Sequence, residues 1–148
     1  MTVRKTLPND ILLGEVSRLV EGGEAVTLMT KGNSMLPFIV GGRDSVVLNR
    51  PDELMPGMIA LAYVNGESYV LHRIVSIEGD KVILMGDGNI SGVEVCRKED
   101  VKAIASRIVR HSSEIDCLGK RHLRLARIWK MLLPARRWIL AVYRRMFL

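Results

Sequence analysis

Ser34 stands in the segment Lys31-Gly32-Asn33-Ser34-Met35-Leu36-Pro37-Phe38-Ile39, where a strand-like run gives way to a loop. Gly32 frees the backbone to turn tightly and Pro37 stiffens the exit. Such a turn can present a hydroxyl beside N–H groups, as an acyl-transfer nucleophile requires. Taken alone, a Gly-x-Ser turn is equally well just a turn. His72 lies in Leu71-His72-Arg73-Ile74-Val75. Strand alternation puts it on one face with Val70 and Ile74, with Tyr69, Leu71 and Val75 on the other. Apolar neighbours bias an imidazole towards its neutral form, the form a general base must have. The same features also describe a half-buried histidine satisfied within a sheet. The third segment, Gly86-Asp87-Gly88-Asn89, is a turn by composition. Its carboxylate could orient an imidazole and support the imidazolium as it forms. No His or Cys cluster accompanies it, so neither a metal nor a cofactor is expected.

These residues need elements to hold them. Residues 9–21 have helical spacing in Ile11, Leu12, Val16, Leu19 and Val20, with Asn9 or Asp10 as cap and Gly22-Gly23 as stop. From Ala25 to about Arg110 the pattern is that of strands: Ala25–Thr30, Ser45–Asn49, Met58–Val64, Tyr69–Ile77, Lys81–Met85 and a stretch near Val101–Val109. Asn65-Gly66 and Gly79-Asp80 are hairpin signals, and Arg50-Pro51-Asp52 through Pro56-Gly57 is a loop. Residues 118–148 return to helical spacing, interrupted at Pro134. The organisation expected is a helical segment over residues 1–24, a mostly antiparallel β domain over 25–117 and an amphipathic basic tail over 118–148.

The chain has 148 residues, 48% hydrophobic and 26% charged, which suits one folded domain and excludes wholesale disorder, a collagen-like chain or a coiled coil. Its net charge of +6 is unevenly placed. Nine of the 22 bases and none of the 16 acids follow residue 119, so residues 1–119 carry −3 and the remainder +9. Cys96 and Cys117 form no CxxC pattern and have no paired histidine, which points to free thiols in a reducing compartment. No secretory signal is expected, because Arg4 and Lys5 are followed by Pro8-Asn9-Asp10 and by an apolar stretch broken at Glu15 and Arg18.

Together the three segments resemble the signal peptidase I-like serine peptidases, relatives of the self-cleaving SOS-type repressors. Gly32-x-Ser34-Met35-x-Pro37 matches the nucleophile box, His72-Arg73-Ile74-Val75 the general-base box and Gly86-Asp87-x-Asn89 the box downstream. The resemblance covers about residues 27–110 and is to the branch whose base is histidine rather than lysine. It implies a coiled β-sheet domain and a serine endopeptidase that processes a precursor or leader peptide. Ser34 would be the nucleophile and His72 the base, with Asp87 orienting His72. Gly32, Asn33, Met35 and Pro37 would contact an extended polypeptide substrate added as a strand. The chain departs from the pattern at Gly32, where many members carry a hydroxyl residue, and at Met58, where an Asp is usual. Glu94 is a loose match to an acidic residue beyond the Gly-Asp box. No spanning anchor is found among the 33 residues before Ser34, so a cytoplasmic enzyme, peripheral to a membrane at most, is expected.

On a helical wheel Ala135, Trp138, Ile139, Val142, Tyr143 and Met146 share one side of the tail, and Arg136, Arg137, Arg144 and Arg145 the other. Residues 120–148 could therefore lie on an anionic membrane surface or pack on the β domain. Nucleic acid is a poor fit for lack of an interleaved aromatic surface. Two other functions stay open: a catalytically inactive β domain that binds extended peptides, and a membrane-surface adaptor acting through the tail.

Overall fold

A computed structural model describes residues 2–3 and 9–148. Arg4, Lys5 and Pro8 lie outside the described residues. Helix α1 (Asn9–Glu21) is followed by strands β2 (Val26–Met29), β3 (Asp44–Asn49), β4 (Ile59–Val64), β5 (Ser68–Glu78), β6 (Lys81–Met85), β7 (Glu94–Arg97), β8 (Val101–Arg110) and β9 (Ser113–Asp116). A two-residue strand β1 (Thr2–Val3) precedes them, and helices α2 (Lys120–Met131) and α3 (Arg136–Phe147) close the chain. The protein is mainly β, as its β-branched runs predict. All strands join one sheet in the order β1-β2-β3-β8-β4-β5-β6-β7, with β9 on β8. Every pairing is antiparallel except β1 with β2.

The sheet is buried on two sides, and β4 shows why its sequence is almost continuously apolar. Ile59 and Leu61 enter one core with Leu12, Val16 and Val20 of α1. Ala60, Ala62 and Val64 enter a second core with Ile74, Val82 and Leu84. Small alanines on the second face suit the inside of the curled sheet, where side chains converge. A hydrophobic staircase in α1 thus closes one face while the curl closes the other. Asn65-Gly66 turns β4 into β5 with positive φ at both residues (56° and 64°), the backbone that favours Asn-Gly.

The tail departs most from the sequence-based picture. α2 buries His122, Ala126 and Trp129 against the β domain, and α3 buries Arg136 and Leu140. Leu36, Trp129 and Leu140 form a third apolar cluster, with Ile139 and Tyr143 packed against it. The expected apolar side of α3 is therefore split: Ile139 and Tyr143 pack inward, whereas Trp138, Val142 and Met146 face solvent. The inward face is rotated because Arg136 finds carbonyl partners, donating to Asn89 O at 3.1 Å and Trp129 O at 3.1 Å. Its guanidinium also lies 4.9 Å from the Trp129 ring centroid. Hydrogen bonds and ring stacking offset much of the cost of burying a charge.

Candidate active site

The chain from Lys31 to Phe38 leaves β2 as a tight turn rather than continuing the sheet. Gly32 has φ +75°, which a residue with a side chain rarely adopts. Ser34 is exposed, while Met35 and Leu36 on either side of the turn's interior are buried and pin it down. The Ser34 hydroxyl makes no hydrogen bond among the described residues, nor do the N–H groups of Asn33, Ser34 and Met35. An exposed, unbonded hydroxyl thus sits beside unused backbone donors, the arrangement that a developing oxyanion needs.

The downstream loop buttresses this turn from behind. Gly88 N–H donates to Ser34 O at 2.8 Å, and Asp87 N–H donates to Met35 Sδ at 3.4 Å. A Cβ at Gly88 would fall 2.4 Å from Asn33 O, so only glycine allows the two backbones to approach this closely. On the exit side Asp44, fully buried, accepts from Val40 N–H at 2.9 Å and from Arg43 and Arg110. Burial alone would raise its pKa, but the two guanidinium groups and the Val40 N–H outweigh that and hold the carboxyl well below the usual range.

Register on β5 settles which carboxylate belongs to His72. Ile74 lies opposite Leu84, and Leu84 opposite Glu94, so these three form one row across β5, β6 and β7. His72, two residues from Ile74, points to the same face. Its Nδ1 is 2.5 Å from Glu94 Oε1. Nδ1 donates to this carboxylate, and Nε2 has no partner among the described residues. His72 is buried and Glu94 half-buried, their side chains 10% and 23% exposed.

Asp87 corrects the expectation drawn from the sequence. Arg73 lies opposite Met85, so Asp87, two residues past Met85, shares the face of Arg73 and not that of His72. Both its carboxylate oxygens are taken by Arg73, at 3.1 Å from Nε and 2.5 Å from a terminal nitrogen. Arg73 also donates to Gly57 O at 2.9 Å and to His122 Nε2 at 2.8 Å, and stacks 4.8 Å from the Phe38 centroid. A guanidinium only donates, so His122 Nε2 accepts and the imidazole is neutral. Burial, then the charge of Arg73, pushes the His122 pKa down to about 4. Trp129 Nε1 donates to Asp87 O at 2.9 Å. Through these bonds α2 reaches the loop that supports Ser34.

Ser34 and His72 line one cleft of about 230 Å³, with Gly32, Met35, Thr30 and Lys31 at its mouth and Leu12, Leu13, Ile39, Leu61 and Leu71 making its walls apolar. Of the expected substrate contacts, Gly32 and Met35 line the cleft. Asn33 and Pro37 do not; the Asn33 carbonyl is turned to Gly88 and accepts the Leu36 N–H, and Pro37 is half-buried behind the turn after a cis peptide bond. Along β5, β4 pairs with every residue from Ser68 to Arg73, whereas β6 begins only opposite Arg73. Residues 68–72 therefore present an edge that no described strand covers. Cys96 and Cys117 are free, and burial raises their pKa values to about 11 and about 12, so neither competes as a nucleophile. No group of three or more His, Cys, Asp and Glu among the described residues is placed to hold a metal.

Sequence reasoning left Glu94 as a loose match and did not find Asp44, Trp129 or His122. For Glu94 the signal was present in the alternation Glu94-Val95-Cys96-Arg97, which marks a strand of which only Cys96 is buried. No helix among the described residues is long and apolar enough to cross a membrane. In comparisons with family models and with curated proteins, the chain matches none.

Proposed function

We propose that the protein is a serine endopeptidase of signal peptidase-like fold, acting on an extended segment of a precursor or leader peptide. The observation that carries this reading is the shared cleft: an exposed, unbonded Ser34 and a His72 whose Nδ1 is committed to Glu94 line the same apolar groove. Ser34 Oγ attacks the scissile carbonyl carbon as His72 Nε2 takes its proton. The oxyanion forms beside the Ser34 and Met35 N–H groups, donors that compensate for a glycine rather than a hydroxyl residue at position 32. His72 then returns the proton to the leaving amine, and water repeats the sequence on the acyl-enzyme. Glu94 holds the tautomer and stabilises the imidazolium. The substrate adds as a strand to the open 68–72 edge of β5, its side chains alternating into and out of the cleft.

The test is cleavage of a degenerate peptide library read by mass spectrometry, with covalent labelling by a fluorophosphonate as a second readout. Wild type is expected to cleave and to be labelled, and Ser34→Ala to do neither. His72→Ala should lose cleavage while keeping its fold. Equal cleavage by all three proteins overturns the assignment. Peptide binding without cleavage by wild type would mark instead a non-catalytic peptide-binding domain.

A further inference from the structure

The outward face of the tail has no use in the peptidase reading. Eight of its nine bases are exposed, the exception being Arg136, and none of the eight forms an ion pair among the described residues. Beside them on α3, Trp138, Val142 and Met146 recur every fourth residue and are 69%, 58% and 70% exposed. Trp129, one helix earlier, is 6% exposed, so the exposure of Trp138 is not the fate of every tryptophan in this tail. Arg145 neighbours Val142 three residues on, and Arg137 and Arg144 occupy the flank of the exposed face beyond Ala141, on the side of the 88–91 loop.

We infer that this face is a docking surface for an anionic lipid bilayer, with Trp138, Val142 and Met146 entering the interface and the arginines meeting lipid phosphates. The choice of occupant rests on charge and chemistry together. Basic charge alone would suit any polyanion, but a tryptophan, a valine and a methionine on the same stripe gain only from a partner with an apolar interior. A second copy of the chain would bring a like-charged +9 tail against this one, which disfavours self-association through it. The face cannot swing free of the body to reach lipid. Leu140 and Arg136 clamp α3 from the opposite side, and Trp129 bonds the loop behind Ser34, so lipid docking would hold the whole domain at the surface. This inference stands independently of the peptidase reading.

The experiment is co-sedimentation of the full chain with phosphatidylcholine vesicles and with phosphatidylglycerol-containing vesicles, at low and high salt, with tryptophan emission recorded in parallel. Binding is expected only to the anionic vesicles, with a blue shift as Trp138 leaves water and release at high salt. The variant R137Q/R144Q/R145Q should bind about 100-fold more weakly, at roughly fivefold per charge removed. The variant W138S/V142S/M146S should bind at least about tenfold more weakly and lose the blue shift. All six positions are exposed, and matching thermal melts will show that both variants are folded. Absent or charge-independent vesicle binding by wild type overturns the inference. So does a dimer that the serine variant dissociates, or a preference for duplex DNA over the vesicles.

Discussion

His72 and Arg73 are adjacent on one strand, yet each holds a different carboxylate for a different purpose. His72 pairs with Glu94 at 2.5 Å on the sheet face that carries Ile74 and Leu84, with Glu94 within reach of solvent. Arg73 pairs with Asp87 on the opposite face, where both side chains are 4% exposed. The strand's two-residue period separates a pair that can exchange a proton from one that cannot. An arginine keeps its charge at any pH the fold survives, so the Arg73 pair can only hold structure. The proposed reaction asks the His72 imidazole, not the Arg73 guanidinium, to carry the proton. The two nevertheless converge on the same turn. In the proposed mechanism Glu94 orients the base for Ser34, and Asp87 holds the loop whose Gly88 N–H donates to the Ser34 carbonyl.

Substitutions can test whether this division holds. The largest effect is expected on the chemical side: His72→Ala should lower kcat by about 10⁴–10⁶-fold with little change in thermal stability. Glu94→Gln should follow with a loss on the order of 10²–10⁴-fold in kcat, again in a folded protein, since an amide cannot enforce the tautomer or offset the imidazolium. A kcat within threefold of wild type for this variant would return the orienting role to another group. On the structural side, Asp87→Asn should destabilise by about 3–5 kcal/mol, because it strands the buried Arg73 charge. Denaturant melts measure that loss, and the folded fraction should retain the chemistry of the cleft. Trp129→Phe removes the bond to Asp87 O, trims the ring on which Arg136 stacks and leaves a small void, and should cost about 1–3 kcal/mol by the same measurement.

A further prediction concerns pH. His122 is neutral in the fold with a pKa of about 4, against an ordinary 6.5. Between those values the unfolded chain binds a proton that the folded chain refuses, so stability falls as pH drops through that window. His122→Gln keeps an acceptor for Arg73 and removes the titration. Its melting temperature should be flatter than that of wild type between pH 6.5 and 4, by on the order of 10 °C. Parallel slopes would mean that His122 takes up its proton as readily in the folded chain as in the unfolded one.

Much of the architecture was legible because it rests on local periodicity. The helix over residues 9–21, six of the nine strands and the break at Pro134 agree with spacing and turn chemistry alone. β1, β7 and β9 were missed: β1 is two residues long and falls in the 1–24 segment expected to be helical, and β7 and β9 are four residues each with no run of apolar side chains, because one lies at the sheet's end and the other is almost wholly exposed. The tail's helicity was legible, but not its orientation. A wheel groups Trp138 with Ile139 and Tyr143, whereas packing divides them, since a buried arginine with carbonyl partners can outcompete an apolar stripe for the inward position.

By itself, then, the sequence determined the strands and helices, the turn that exposes Ser34, the strand that carries His72 and the concentration of positive charge after residue 119. Only the tertiary structure decided which acid faces His72. That depends on the register of β5, β6 and β7, and a shift of one residue there would have reversed every face. It likewise decided that the tail stands behind the nucleophile loop, because that contact joins residues 42 positions apart that no local pattern relates.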